Sequence, residues 1–142
     1  MEPLDLRVRP PRSPREKAAG LYFIPRTIDK IRASLPGGNM GAYYISGISQ
    51  RLLDSLGIDL AQLTEVVQNA KSEDEVARWI TSHSDPSTYD AINRALETRS
   101  QQQITTPEGR AMFESRYDAD IRSRYDNLFE LIEADDAQMF AN

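Results

Sequence analysis

Apolar residues recur at intervals of three and four along most of the chain; a clear alternation is confined to "LDLRVR", residues 4–9. There Leu4, Leu6 and Val8 alternate with Asp5, Arg7 and Arg9, the period of a strand. Prolines on both sides (Pro3, Pro10, Pro11) argue against a sheet, so residues 1–12 are expected as an extended arm laid on a helical body. The body reads from its helix starts. Ser13-Pro14-Arg15-Glu16 carries a capping serine, a proline suited to the first helical position and a glutamate that completes a capping box. A helix from Pro25 turns Ile28, Ile31 and Leu35 inward and stops at Gly37 and Gly38. Ser49 to Leu56 forms another, ended by Gly57.

Asp59 caps "LAQLTEVVQNA", whose Leu60, Leu63, Val67 and Ala70 share a face. Ser72 and Glu75 form a capping box ahead of Val76, Trp79 and Ile80, with Trp79 expected at the centre of the core. Asp85-Pro86 precedes a helix bearing Tyr89, Ile92 and Leu96, and Thr105 or Thr106 with Pro107 and Glu108 starts the next. A last helix carries Tyr125, Leu128, Phe129 and Ile132, after which "EADDAQMF" is expected as a short tail. Six of the eight prolines lie in the first 36 residues and six of the seven glycines precede residue 58, so turns crowd the first third and leave the rest free for helices. The expected architecture is a single compact all-α domain over residues 13–142, without internal repeats and with low relative contact order.

Composition changes this picture little but excludes much. The 142 residues contain no cysteine and one histidine, which rules out disulfides, thiolate metal sites, cysteine nucleophiles and multi-histidine metal centres. No stretch is long and apolar enough for a membrane helix, and the first residues lack a secretory core, so a cytoplasmic protein without a membrane partner is expected. No cofactor is implied. The net charge of −5 is unevenly placed: residues 1–32 hold eight Lys/Arg against four Asp/Glu, and the rest hold nine against eighteen. Such asymmetry suits an anionic partner but is too small a basic footprint for duplex nucleic acid.

The cationic segment has two readings. Arg26 and Lys30 lie four apart on the helix from Pro25 and bind a phosphate or carboxylate, with Arg12 or Arg15 folding across and Tyr43 and Tyr44 beside them. The backbone of "PGGNMG", residues 36–41, would present amides to the same anion, although it is neither a phosphate-binding P-loop nor a dinucleotide loop. Alternatively, the arginines and Lys30 form the solvated face of an amphipathic helix. Tyr22, Phe23, Tyr43 and Tyr44 can stack a planar ligand or pack the core. His83, at the end of the Trp79 helix, suits a dipole-stabilised C-terminus better than a catalytic base. Asp118, Asp120, Glu133, Asp135 and Asp136 match no calcium-loop template and are expected as a solvated acidic surface.

"PRSPREKAAGLYFIPRTIDKIRASL", with "GAYY" and the helix around Trp79, resembles the bacterial family known as domain of unknown function 5069. The likeness is specific over residues 10–60 and weakens past 85, apart from "LFELIEADD". It implies a short, helical, single-domain protein and carries no activity with it. Family members show a Leu-Gly-Gly-Tyr-type run at Ala18-Ala19-Gly20-Leu21-Tyr22 and a Cys-Pro-Leu-Asp-type run at Ser46-Gly47-Ile48-Ser49. The leading functional expectation is a non-catalytic binding module for a small anionic ligand or an acidic partner. The alternatives are an enzyme of phosphorylated or carboxylated metabolites that uses Lys30 or a tyrosine, and a homo-oligomer joining the basic arm of one copy to the acidic tail of the next. If the binding reading holds through solvated side chains, Arg26→Ala with Lys30→Ala removes binding and leaves thermal stability nearly unchanged.

Overall fold

The computed structural model describes residues 1–45 and 47–141. Among them are eight α-helices and one two-stranded hairpin, an all-α fold. The hairpin pairs β1 (Lys17–Ala18) with β2 (Leu21–Tyr22), and α1 (Ile24–Ser34), α2 (Gly47–Leu56), α3 (Leu60–Asn69) and α4 (Glu73–Ser82) follow. After a 3₁₀ turn at Pro86–Thr88 come α5 (Tyr89–Glu97), a second 3₁₀ turn at Gln101–Gln103, α6 (Pro107–Arg116), α7 (Ala119–Arg124) and α8 (Leu128–Met139).

Several starts follow the capping chemistry of the sequence. Asp59, Ser72 and Thr106 accept from backbone amides of α3, α4 and α6, and Asp85 caps the 3₁₀ turn that leads into α5. The box at Ser72 is shifted, because the Glu75 carboxylate takes the amide of Lys71 and not that of Ser72. Ser13 does not start a helix. Its hydroxyl accepts from Arg15 N and its carbonyl from Glu16 N, closing a turn that feeds the hairpin. Ala19 (φ 56°) and Gly20 (φ 79°) both sit at positive φ, the signature of a two-residue hairpin loop, and this backbone cannot continue a helix. The reversal delivers Leu21 and Phe23 to the core, and Asn93 holds it by accepting from Tyr22 N and donating to Gly20 O.

The first residues are tied into the body. Leu4 and Leu6 exchange backbone hydrogen bonds with Asn39, and Leu6 is buried in a small cluster with Ala33 and Tyr43. The alternation stops there: residues 6–8 turn, and Val8 points to solvent.

Helix α1 sits at the centre. Every residue from Phe23 to Ile31 is buried, the polar ones included. The main core joins Ile24, Ile28 and Ile31 to Leu52 and Leu53 of α2, Leu63 and Val67 of α3, and Val76 and Ile80 of α4. Trp79 is half-buried at the margin, stacked on His83 at a centroid distance of 4.2 Å. His83 is the C-cap of α4, its Nδ1 2.8 Å from the Trp79 carbonyl oxygen.

"EADDAQMF" is no tail, because α8 runs through it to Met139. Tyr125 belongs to the end of α7, and Asn127 caps α8. Phe129 and Ile132 enter the main core, whereas Leu128 and Leu131 pack with Phe113 and Ile121 in a second cluster, so α8 pins the C-terminal helices to α1. Phe129 also stacks on Phe23 at 6.1 Å.

Gly38 ends the turn after α1 with its amide on Leu35 O. A Cβ there would lie 2.5 Å from Ala33 O and 2.9 Å from Arg32 O, both backbone atoms. Gly38→Ala is therefore expected to lose about 1–3 kcal/mol, as overpacking does, read as a lower urea midpoint at unchanged m-value.

Candidate functional site

Because α1 is enclosed, each of its polar side chains needs a partner. Thr27 Oγ1 and Ser49 Oγ are 2.9 Å apart. Asp29 accepts the Arg12 backbone amide at 2.8 Å and its guanidinium at 3.0 Å. Arg26, 2% exposed, donates to both oxygens of Asp136 at 2.7 and 3.2 Å and also to the Arg12 carbonyl, leaving its buried Nε without a partner. Tyr43 donates its hydroxyl to the same Asp136 at 2.7 Å, and burial together with that carboxylate pushes the phenol well above its ordinary range. Next to it, Arg116 donates to Asp135 at 2.9 Å, where burial raises the carboxyl against the pull of Arg116. Asp135 and Asp136, expected on a solvated acidic surface, are thus buried counterions, whereas Asp118 and Asp120 are exposed and Glu133 is partly so, as expected.

These three also have local duties. Glu133 accepts from Arg15 at 2.7 Å, Asp120 pairs with Arg124, and Asp118 caps α7. Arg12 reaches Glu73 as well as Asp29, which raises its guanidinium above the ordinary arginine value, the bond to Glu73 being the largest cause. The basic first third and the acidic last helix are therefore joined within one chain. The loop at residues 36–41 offers no cradle through Gly38, Asn39 and Gly41, whose amides are donated to Leu35, Leu4 and the Asn39 side chain.

Lys30 is the exception on α1. It is 4% exposed, and its Nζ makes no hydrogen bond or ion pair among the described residues. It lines a cavity of about 200 Å³ between α1, α2, α6 and α8. Ile48, Phe113, Leu128 and Ile132 supply apolar wall, Tyr44 and Tyr117 supply phenols, and Arg51 and Arg99 supply further cations. No aspartate or glutamate occurs among the described residues of the lining. Burial, then the nearby charges of Arg26 and Arg116, push the Lys30 amine down to about 7, opposed by Asp136. Burial raises the Tyr117 phenol to about 12, and burial followed by the charge of Arg51 lowers Arg99.

Of the six candidate ligand residues, Arg26 and Tyr43 meet at Asp136, Lys30 and Tyr44 meet at the cavity, and Arg12 and Arg15 are bonded to carboxylates elsewhere. Arg51, Arg99 and Tyr117 were not anticipated. Arg51 and Arg99 are single cations far apart in sequence, and Tyr117 follows an α6 with one buried apolar residue, so no local period marks them. Ser46, where the family's cysteine-bearing run begins, lies outside the described residues; Gly47 and Ile48 of that run line the cavity and Ser49 bonds Thr27.

Two stability predictions follow from the buried charges. Asp136→Ala leaves Arg26 enclosed and unpaired and should cost about 3–5 kcal/mol, whereas Arg26→Met with Asp136→Leu should cost much less than the two single losses added. Urea denaturation of the four-member cycle measures this. It also revises the expectation that Arg26→Ala spares stability. For Lys30 the sign is opposite. Its folded-state pKa, about 7, lies below the ordinary 10.5, so between those values the unfolded chain binds the extra proton and stability rises with pH. Lys30→Met should accordingly raise the melting temperature most below pH 7, and the advantage should shrink toward pH 10.5.

No curated protein matches the sequence. A family model does, and it extends well past residue 85, where the likeness read from the sequence faded: the domain of unknown function DUF5069 matches residues 8–138, nearly the whole chain, and the protein belongs to that family.

Proposed function

We propose that the protein is a binding module for a small organic anion with an apolar body, taken into the cavity between α1, α2, α6 and α8. The observation that carries this reading is the composition of the wall: apolar surface, three cationic side chains and no carboxylate among the described lining residues. Of the other cations in the cationic segment, Arg12, Arg15 and Arg26 have acidic partners, whereas Lys17 lies over the Tyr22 ring and Arg32 donates to the Glu2 carbonyl. Burial and then the charge of Arg51 depress Arg99, and neither arginine has an ion pair among the described residues, which is the situation a ligand carboxylate or phosphate relieves. A volume of about 200 Å³ suits a ring-sized apolar body, since a cavity of about 150 Å³ takes benzene.

In this reading the anionic group sits on Arg51 and Arg99, and the apolar body points toward Lys30 and Tyr44. A cytoplasmic setting, with its supply of small carboxylates and phosphates, fits such a role. The homo-oligomer has less to support it, because the complementary charges that suggested it are paired within one chain at Arg15–Glu133 and Arg26–Asp136.

Titration calorimetry with 4-methylbenzoate, phenyl phosphate and the neutral 4-methylbenzyl alcohol tests the reading. Either anion should bind, more weakly as salt is added, and the alcohol should not. Arg51→Ala or Arg99→Ala should weaken anion binding by roughly tenfold or more, the value of one charged hydrogen bond, at nearly unchanged melting temperature. Equal binding of the alcohol, or no binding of either anion, would overturn it.

A further inference from the structure

We infer that Lys30 is an imine-forming nucleophile and that the cavity takes carbonyl compounds bearing an anionic group at the far end of an apolar spacer. This rests on the binding reading above and adds a covalent step to it. Four observations converge on it. Lys30 approaches the cavity from α1, whose other buried polar side chains have hydrogen-bond partners, and its amine has no hydrogen bond or ion pair among the described residues, only the face of Phe23 5.8 Å away. The surrounding wall is apolar, which favours the neutral amine over the ammonium. Arg26 and Arg116 stand near it as further positive charges, the arrangement that keeps an amine partly unprotonated near neutral pH. Two phenols, Tyr44 and Tyr117, face the same space without hydrogen bonds of their own among the described residues.

The spacer follows from depth. Lys30 is 4% exposed, whereas Arg51 is exposed and Arg99 half-buried, so the amine sits at the inner end of the cavity and the two guanidiniums toward its mouth. A carboxylate held by Arg51 and Arg99 puts its own α-carbon out of reach of Lys30, so the reacting carbonyl lies at the opposite end of the molecule.

The chemistry balances without an oxidant. The unprotonated amine adds to the carbonyl carbon, giving a carbinolamine. Its hydroxyl leaves as water on taking a proton from Tyr44 or Tyr117, and the phenolate then removes the nitrogen proton. The products are imine and water. When the imine is protonated instead, Asp136 offers the one negative charge among those acting at Lys30.

The probe is 4-formylbenzoate, which carries an aldehyde and a carboxylate at opposite ends of a ring. The full chain is incubated with it and sodium cyanoborohydride at neutral pH, and labelled peptides are mapped by mass spectrometry. Lys17, Lys71 and the amino terminus are internal controls, since Lys30 is the only other lysine. Positioning in the cavity should favour labelling of Lys30 over Lys17 and Lys71 by about tenfold or more. An excess of 4-methylbenzoate, which binds but cannot react, should suppress that label. Lys30→Met should lose that label while Lys17 and Lys71 keep theirs. Labelling of Lys30 no greater than that of the other amines, or undiminished by 4-methylbenzoate, overturns the imine. If 4-methylbenzoate binds in calorimetry in that case, the binding module stands and only the covalent step falls; if it does not bind, both fall.

Discussion

The enclosure of α1 on every side is the constraint from which the rest of the structure follows. An enclosed helix can be wholly apolar, or it can carry polar groups that are matched one by one, because an unmatched buried charge is strongly destabilising. This chain takes the second course. Arg26, Thr27 and Asp29 each meet a partner from a different part of the sequence: Asp136 from α8, Ser49 from α2, and Arg12 from the segment before the hairpin. Docking of α8 onto α1 is thereby specified by charge as well as by Phe129 and Ile132, and a shift of either helix along the other would leave Arg26 facing apolar wall. Well-packed hydrophobic side chains of similar volume often match a buried ion pair for stability. What the pair adds is registry, with Tyr43 bonded to the same carboxylate so that three segments meet at one group.

This arrangement also explains the uneven charge of the chain. The positive first third and the negative last helix look like an interaction surface when each is counted separately. In space Arg15 and Arg26 of the first meet Glu133 and Asp136 of the second, over a hundred residues away in sequence. The asymmetry is a property of connectivity. Among the cations without an acidic partner in the described residues, Lys30, Arg51 and Arg99 are found together around a single cavity.

Local features were legible in the sequence. Caps at Asp59, Ser72 and Thr106 depend on hydrogen bonds spanning two or three residues, so the residue type and its spacing suffice. The helix at Pro25 and the inward Ile28 and Ile31 were equally legible from their period. The environment of its polar face was not, because the same amphipathic pattern serves a helix facing water and one facing matched charges. Ser13 misled because its capping pattern is real but short, and the positive φ values at Ala19 and Gly20 reverse the chain within one turn's length. The end of α8 misled because an acidic run was weighed against solvent and not against arginines from the other end of the chain.

The cavity lies one step further from the sequence, since its character is set by what is missing from its wall. Apolar residues from α2, α6 and α8 would close over a methionine at position 30 as well as over a lysine, and at lower cost to folding. Retaining an amine there destabilises the protein at neutral pH, in the sense worked out from its depressed pKa. Stability given up at a buried side chain without an ion pair among the described residues is the pattern of a functional residue. Lys30 is held in place by the same enclosure that forces Arg26 onto Asp136. The network that fixes α1 thus also presents an amine whose protonation is set first by burial and then by Arg26 and Arg116, and the structural and chemical roles of the buried charges are physically coupled.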